Sequence, residues 1–402
     1  MRKGQTMATT AETLRAYRGP AIFSYGFRPF FLGGSIWAAV AMMLFIPMLQ
    51  GHLALPTTLS PIDWHQHELL YGFLPAIVAG FLLTAVPNWT GRLPVAGAPL
   101  AALFALWLVG RAAVATSALI GAGAAATIDV LFLVAVGIIV GREIVAGGNK
   151  NNLKLLILIS LFAIGNLVFH IETATAGTAD YGKRIGIAAA VLLLSLIGGR
   201  IIPSFTRNWL AKFGLKNLPA PFGKFDAVTI AASAIALAAW IFAPANMATG
   251  AACGIAGVLH LIRLARWKGY RTFGEPLITV LHVGYLFVPL GFLLMALSIA
   301  FPAIVTPVAG IHAWAAGAIG IMTLAVMTRA SLGHTGNALT ASPGVLAIYI
   351  FVVIGALSRI AAAFGIEPQT MLVHIAAGAW ILAFGGFAVV FGPLLLRPRS
   401  RG

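Results

Sequence analysis

The sequence predicts an all-α, polytopic membrane protein with about twelve transmembrane helices. Of its 402 residues, 60% are hydrophobic and only 9% are charged, whereas a soluble domain is about 45–50% apolar and about 25% charged. The mean hydropathy is +0.96. Apolar runs of about 20 residues, the length that crosses a bilayer core, recur along the whole chain. These observations exclude a water-soluble fold.

The apolar runs follow one another with short polar connections and define twelve predicted spans. We place them at 24–49, 62–86, 98–118, 122–141, 153–171, 185–203, 225–243, 246–264, 276–299, 306–328, 342–364 and 370–395. The spans predict one transmembrane domain over 21–396. We expect a cytoplasmic tail over 1–20 and a short basic cytoplasmic tail over 397–402. The beginning of the chain is polar and basic with no short apolar core, which favours a tail over a cleaved signal peptide.

The basic residues are distributed unequally between the two sides of the membrane. If the spans alternate in direction, 22 of the 26 Lys and Arg residues lie in the two tails and the even-numbered loops. Only Lys183, Arg184 and Arg359 lie in the odd-numbered loops. The positive-inside rule therefore predicts that both termini are cytoplasmic. The formal net charge of +16 then indicates contact with the lipid bilayer and its anionic headgroups, not with nucleic acid.

Several chemistries have no sequence support. Cys253 is the single cysteine and lies in an apolar run, which excludes a disulfide framework, a cysteine zinc site and an iron–sulfur cluster. We expect it to be a small buried hydrophobic residue. The chain contains no GxxxxGK[ST] motif and no nucleophile elbow, so nucleotide-driven work and hydrolysis are unsupported.

Two charged residues lie inside predicted spans on either side of the short third loop. Arg111 precedes this loop and Asp129 follows it at a similar distance, so antiparallel packing places them at similar depth. A charge at the centre of a membrane helix costs about 2.5–3.5 kcal/mol on insertion scales. We therefore predict an Arg111–Asp129 pair. A structural ion pair inside the bundle is the favoured interpretation, and a proton or ion path is the alternative.

Three spans end in similar polar segments. Spans two, six and ten all run towards the inner side and end in TAVPNWTGRLP (84–94), GGRIIPSFTRNWL (198–210) and VMTRASLGHTG (326–336). The regular spacing is typical of an internal repeat, so the chain is predicted to contain three four-helix units.

The nine histidines fall into two layers when each is given a depth by the predicted topology. Near the outer side lie His65, His67, His170, His312 and His374, and near the cytoplasmic side lie His260, His282 and His334. His52 lies in a polar loop, where we expect it to be exposed. Neutral imidazole is a common ligand for copper and heme iron. The outer group therefore predicts a metal or proton site at His65, His67, His170 and His312, with hydrogen-bonded packing as the alternative.

The segment SPIDWHQHELLYG (60–72) shows how the outer group is arranged locally. Ser60 and Asp63 form a capping box and Pro61 suits the first helical position, so both following histidines are helical. At 100° per residue, His65 and His67 point about 200° apart, which predicts two different roles. His65 is expected to share a face with Glu68, and His67 with Tyr71. Glu68 and Tyr71 are the candidate catalytic residues, to orient a ligand or handle protons.

The positions of the inner histidines suggest that they lie at the edge of a bound heme. His260 and His282 flank a basic turn on two antiparallel neighbours at comparable depth, and His334 follows span ten. Bidentate hydrogen bonds from arginine suit heme propionates. The candidate arginines at this side are Arg28, Arg200, Arg207 and Arg329. Their alternative role is to set the topology at the lipid headgroups.

Five segments of the chain are similar to one known family. They are GFRPFFLGG (26–34), DWHQHELLYGF (63–73), AGFLLTAVPNWTGRLP (79–94), GGRIIPSFTRNW (198–209) and VMTRASLGHTG (326–336). Together they resemble the NnrS family from about residue 20 to 395. The matching motifs contain His65, His67, Glu68, Arg92, His334 and the four arginines named above. His170, His260, His282 and His312 are included on their depth alone.

The resemblance implies a multi-pass protein of the bacterial inner membrane that carries heme b and copper and takes part in the response to nitric oxide. Whether nitric oxide is reduced, bound or sensed stays open. If it is consumed, the protein is an oxidoreductase with an electron donor in the membrane or in solution. A transporter of metal or heme, with the histidines as a relay, is the alternative from a different class. A scaffold or assembly factor for a redox partner is a third.

Overall fold

The computed structural model describes residues 17–148 and 152–398, and within these ranges the chain is helical with no strand. In the described part of the chain twelve helices are long and apolar enough to cross a membrane, which confirms the predicted fold class. We label them α1 (Phe27–Leu49), α2 (Pro61–Thr90), α3 (Ala98–Ala115), α4 (Ala122–Ala146), α5 (Leu153–Ala176), α6 (Tyr181–Lys212), α7 (Lys224–Phe242), α8 (Met247–Arg266), α9 (Pro276–Ala300), α10 (Pro307–Thr335), α11 (Pro343–Ala363) and α12 (Gln369–Leu396). Most of the two predicted tails lies outside the described residues.

Helices α2, α6 and α10 continue past the predicted spans at their inner ends, as α4 also does. Helix α6 extends to Lys212 and α10 to Thr335, whereas the apolar runs ended at 203 and 328. Helix α2 extends to Thr90. The similar polar segments therefore contain the last helical turns of these three helices, and the segment of α2 continues beyond its end at Thr90. Hydropathy marks an apolar run and not the end of a helix.

The same three helices form the centre of the bundle. In their most apolar windows, 78% of the residues of α2, 67% of α6 and 72% of α10 are buried, against 33–56% in the other nine. Each is the second helix of one predicted four-helix unit, and the repeat itself stays a prediction. Helices adjacent in sequence pack together, and α12 returns to pack on α1. The nine outer helices thus surround three central ones.

Local sequence sets where α2 begins and ends. The amide of Asp63 donates to Oγ of Ser60 over 3.1 Å, and Pro61 occupies the first turn. The Ser60 cap is therefore as predicted, although Asp63 accepts from the Ser60 hydroxyl and not from its amide. Gly91 ends the helix with φ +69°, a conformation that favours glycine.

Helices α2 and α10 each contain one π-helical segment at the same relative position. The segments are Glu68–Phe73 and Ala313–Ile319. They begin directly after His67 and directly after His312. π-helical turns are rare and frequent at functional sites. We call the end of the bundle that holds these segments the outer end, after the charge-based topology, and the opposite end the inner end.

Arg28 holds the first and last helices together at the inner end. Its Nη1 donates to the carbonyl of Leu395 over 2.8 Å and to that of Arg397 over 2.7 Å. A cation at the carbonyl end of α12 also complements the helix dipole. Arg28 therefore satisfies terminal carbonyls that the helix itself leaves unpaired.

Replacement of Arg28 by alanine is expected to destabilise the closure between α1 and α12. Loss of hydrogen bonds from a buried charged donor predicts a loss of about 1.5–3 kcal/mol in stability. Thermal unfolding of the detergent-purified protein measures this effect. Arg207→Ala is the control, because Arg207 is an exposed arginine at the same end. Equal unfolding temperatures for the two variants would contradict the role of Arg28.

Candidate metal centre

A cluster of charged and polar side chains is buried between α2, α3, α4 and α5 in the outer half of the bundle. His67 and Glu68 are fully buried, and Arg111 and Asp129 are only 3% and 1% exposed. Asn166 and His170 complete the cluster from one face of α5, four residues apart. The predicted Arg111–Asp129 pair is present, with Nη2 of Arg111 donating to Oδ1 of Asp129.

Two imidazoles converge on one carboxylate oxygen. Nε2 of His67 and Nε2 of His170 each lie 3.1 Å from Oδ2 of Asp129. One ligand atom from each of the three residues lies within 4.8 Å of the other two. Oδ1 of Asn166 adds an oxygen 3.0 Å from Nε2 of His67. Two imidazole nitrogens and carboxylate or amide oxygens suit copper, iron or zinc.

A neutral His67 ring does not satisfy all the groups around it, so an additional cation is required there. Its Nδ1 lies 3.0 Å from Oε1 of Glu68, so a neutral ring donates its one N–H there and presents an unprotonated Nε2 to Asp129. Nδ2 of Asn166 donates to Oδ2 of Asp129 over 2.7 Å, which fixes its Oδ1 towards the same nitrogen. Nε2 therefore faces two acceptor oxygens. A second proton or a metal ion satisfies this arrangement, and the nearby Nε2 of His170 adds a further metal ligand.

The net charge of the cluster also requires an additional cation. Glu68 and Asp129 carry two negative charges, and Arg111 compensates one of them through hydrogen bonds to both carboxylates. Buried charges are stable only when they are paired. With neutral histidines the cluster retains one excess negative charge, which a bound cation compensates.

Glu68 positions His67 and is itself held by two donors. Its Oε2 accepts from Nε1 of Trp37 and from Nη1 of Arg111, each over 2.7 Å. Metal-binding histidines usually donate their other ring N–H to such a carboxylate. We expected Glu68 on the face of His65, but its carboxylate contacts His67. Glu68 begins the π-helical segment, so the regular α-helical spacing no longer holds there.

Tyr71 lies beside the centre with its hydroxyl already engaged. The ring centroids of Tyr71 and His67 are 5.7 Å apart, and the hydroxyl donates to the carbonyl of Gly182 over 2.6 Å. A Cβ at Gly165 or Gly186 would collide with this hydroxyl, so both glycines are required for its placement. The structure therefore shows Tyr71 joining α2 to α5 and α6, and its predicted catalytic role stays a prediction.

His170 lies where two open spaces meet. An apolar groove of about 500 Å³ between α4 and α5 faces the membrane and is lined by Ala126, Val130, Leu167 and His170. A smaller pocket of about 260 Å³ also reaches His170, and its lining contains Thr58, Ser117 and Thr173. The candidate centre thus borders both the lipid side and a polar pocket at the outer end.

The other two predicted outer ligands line a separate cavity. His65 and His312 border a cavity of about 480 Å³ between α1, α2, α6, α10, α11 and α12. The ring of His65 stacks on Phe45 with centroids 3.9 Å apart. The predicted divergence of His65 and His67 is therefore confirmed. The four predicted outer ligands belong to two sites, one with His67 and His170 and one with His65 and His312.

The inner histidines lie in hydrogen-bond networks with hydroxyl groups. Nη1 of Arg263 donates to the Tyr285 hydroxyl over 2.7 Å, so that hydroxyl donates to Nδ1 of His260 over 2.9 Å. Nε2–H of His260 then donates to Ser233 over 2.8 Å, because the Ser233 hydroxyl donates to the carbonyl of Thr229. Both ring nitrogens of His260 are used, so its predicted role as a heme ligand gains no support from this geometry.

The remaining residues of the predicted inner heme site are dispersed among different contacts. Nε2 of His282 lies 2.8 Å from Oγ1 of Thr206, while its Nδ1 is buried with no hydrogen-bond partner. His334 packs against the rings of Tyr25 and Phe27. Arg28 bonds to the end of α12, Arg200 contacts Asn152, and Arg329 lies over the Phe205 ring. Their role towards heme stays a prediction.

Two residues of the candidate metal centre were not predicted from the sequence. Trp37 and Asn166 come from α1 and α5, far from the histidine motif of α2. Asn166 had a usable signal, since it is an amide within an apolar span and lies one turn before His170. Trp37 had none, because tryptophan is common in membrane helices.

Arg111→Ala is expected to destabilise the protein by about 3–5 kcal/mol, because it leaves two buried carboxylates without their counter-charge. Arg111→Lys should restore part of the loss, since a lysine cannot reproduce the two-sided contact. Thermal unfolding in detergent provides the measurement. Arg142→Ala, at an exposed arginine of α4, is the matched control. An Arg111→Ala protein as stable as this control would rule out a compensating role for Arg111.

Comparison with known proteins gives one finding for the whole chain. A family model described as NnrS protein matches residues 21–399. No curated protein matches the sequence.

Proposed function

The chain belongs to the NnrS family, and on that premise we propose that it binds nitric oxide at a copper ion held by His67, His170 and Asp129. Family membership together with twelve membrane-spanning helices supports a multi-pass membrane protein of the nitric oxide response. The location of the copper and the binding of nitric oxide are our proposal.

The observation that carries the proposal is the convergence of two Nε2 atoms on Oδ2 of Asp129. A cation at this point satisfies Nε2 of His67, which otherwise faces two acceptor oxygens. It also compensates the excess negative charge of the cluster. Copper accepts imidazole and carboxylate ligands, and the family resemblance implies copper in preference to iron or zinc.

The protein's own residues would hold and orient the ligands. Glu68 keeps the proton of His67 on Nδ1, so that Nε2 is available for the metal. Arg111 and Trp37 hold Glu68 in that position. When bound, copper supplies a coordination site for nitric oxide and one-electron chemistry.

The two spaces beside His170 suit the two kinds of molecule that the reaction uses. Nitric oxide is small and apolar, so the lipid-facing groove between α4 and α5 is suited to its passage from the bilayer. The pocket near Thr58, Ser117 and Thr173 is suited to water and protons. Reduction of two nitric oxide molecules to nitrous oxide and water consumes two electrons and two protons. We propose reduction as the reaction if the protein turns nitric oxide over, with an external electron donor.

Removal of a metal ligand is expected to remove copper without loss of the fold. In His67→Ala, His170→Ala and Asp129→Asn, copper content and the EPR change on addition of nitric oxide should both be lost. Glu68→Gln should keep the metal with about 10–100-fold lower affinity, because it weakens the orientation of His67. Elemental analysis and EPR of purified protein measure these quantities.

His374→Ala is the control for this set, since His374 is an outer histidine that bonds to Gln50 and to the Thr370 carbonyl. Copper retained in all three ligand variants, or another metal in the native protein, would reject the copper assignment. Metal uptake into proteoliposomes by variants lacking these ligands would instead favour transport.

A larger side chain in the lipid-facing groove is expected to slow nitric oxide binding without changing the copper content. Ala126→Leu fills the groove lined by α4 and α5. Ala124→Leu is the matched control, because Ala124 is exposed on the same helix and does not line the groove. Stopped-flow mixing with nitric oxide measures the rate. An unchanged rate in Ala126→Leu would mean that nitric oxide reaches the centre by another path.

A further inference from the structure

We propose that the outer cavity is a metalloporphyrin site, with His65 and His312 as axial ligands and with Arg359 and Lys183 as partners of the porphyrin carboxylates. This cavity is separate from the copper centre and from the inner histidines. The chemical class of the ligand follows from four features of the cavity.

The first feature is its size and lining. The cavity has a volume of about 480 Å³, within the range of about 300–1,000 Å³ that is usual for ligand and cofactor pockets. Its walls are mainly aliphatic and aromatic, with Phe45, Phe73 and Trp380 among them. Such walls suit a large, flat and apolar molecule.

The second feature is the state of its two histidines. Nδ1 of His312 lies 2.9 Å from the carbonyl of Val308, so it carries the proton and leaves the Nε2 lone pair available. Nδ1 of His65 is buried with no hydrogen-bond partner, and the ring is held by stacking on Phe45. Two imidazoles from different helices with available nitrogens suit the two axial positions of heme iron.

The third feature is a pair of basic side chains on the outer side, where the positive-inside rule predicts few basic residues. Only three basic residues are assigned to the outer loops, and two of them, Lys183 and Arg359, line this cavity. Within the described ranges Arg359 makes no hydrogen bond or ion pair, and Lys183 pairs only with Asp180 at 3.5 Å. Arg359 and Lys183, whose one weak pair is with an exposed carboxylate, suit the two carboxylates of a heme.

Besides Nδ1 of His65, a second buried polar atom of the cavity has no hydrogen-bond partner, which supports the presence of a ligand. Oε1 of Gln66, the residue after His65, is buried without a hydrogen-bond partner and also belongs to the cavity lining. Buried polar atoms are nearly always satisfied in native proteins. The cavity thus presents an unsatisfied imidazole nitrogen, an amide oxygen and a guanidinium together, which indicates an occupant that is polar at its edges.

The fourth feature is the backbone around the histidines. A π-helical segment begins directly after His312 and three residues after His65. The segment of α10 brings the small residues Ala315 and Ala316 to the cavity wall, where they leave space. The two central helices are therefore modified at the same relative position, beside the cavity.

The cavity and the candidate copper centre lie on opposite sides of α2. His65 and His67 are two residues apart on α2, one bordering the cavity and the other the copper centre. A heme at the inner histidines would lie across most of a bilayer core of about 30 Å from that centre. A porphyrin bound in the outer cavity would be adjacent to that centre, which would suit electron transfer between the two.

The test uses the full chain, expressed with heme supply and purified in detergent, with optical and EPR spectra and the heme content per chain. We expect a low-spin heme with two histidine ligands in the native protein. His65→Ala and His312→Ala should each lose heme or convert it to a high-spin form. Arg359→Ala should retain the spectrum and lose heme more readily to an acceptor such as apomyoglobin.

His65→Met and His312→Met keep the test decisive if an alanine variant fails to fold, because methionine fills space flexibly and can itself ligate iron. A changed axial-ligand spectrum in both would support the site. Native-like spectra in both would overturn it, as would a native protein without heme or heme loss in His282→Ala alone. Copper content is measured in parallel, so failure of the porphyrin site is distinguishable from failure of the copper centre.

Discussion

The structure depends on burying two carboxylates, Glu68 and Asp129, inside a membrane-spanning bundle. A buried charge is tolerated only with close compensation, and the requirement is severe where lipid surrounds the protein. Arg111 compensates both groups, while Trp37, Asn166 and the two histidines supply the remaining contacts. The network draws on α1 to α5, so it fixes the packing of these helices at one depth. The same negative charge that must be compensated is what makes the cluster suited to a metal ion.

Because the cluster fixes His67, it also fixes the rest of the outer part of α2. His65 then points to the opposite side of the helix and borders the outer cavity with His312. One helix therefore separates two sites of different chemistry. On one side lies a small centre of nitrogen and oxygen ligands, and on the other a large apolar cavity with two imidazoles and two cations. A short segment that appeared in sequence to be one histidine motif thus serves two sites.

The three central helices occupy similar positions in the bundle but carry different functional side chains. Helices α2 and α10 each carry a histidine and a π-helical segment, whereas α6 contributes Lys183 to the same cavity. At the inner side, Arg263 pairs with Asp226 and orders Tyr285 and His260. That network uses both ring nitrogens of His260 and leaves only Nη2 of Arg263 without a partner among these residues. The outer side differs because its histidines converge on a shared carboxylate or border a cavity.

The sequence by itself determined the features that are local to one segment or to two neighbouring ones. The twelve spans, the Ser60 cap, the divergence of His65 and His67 and the Arg111–Asp129 pair follow from hydropathy, helical periodicity and antiparallel packing across a short loop. Only the tertiary structure decided that His170 joins His67 and that His312 joins His65, because these pairs come from helices far apart in the chain. It also decided the partners of Glu68, because Trp37 and Arg111 come from two other helices. Contacts between distant helices depend on the side chains of the whole bundle. The sequence therefore predicted how deep each residue lies in the membrane, but not which residues of other helices it contacts.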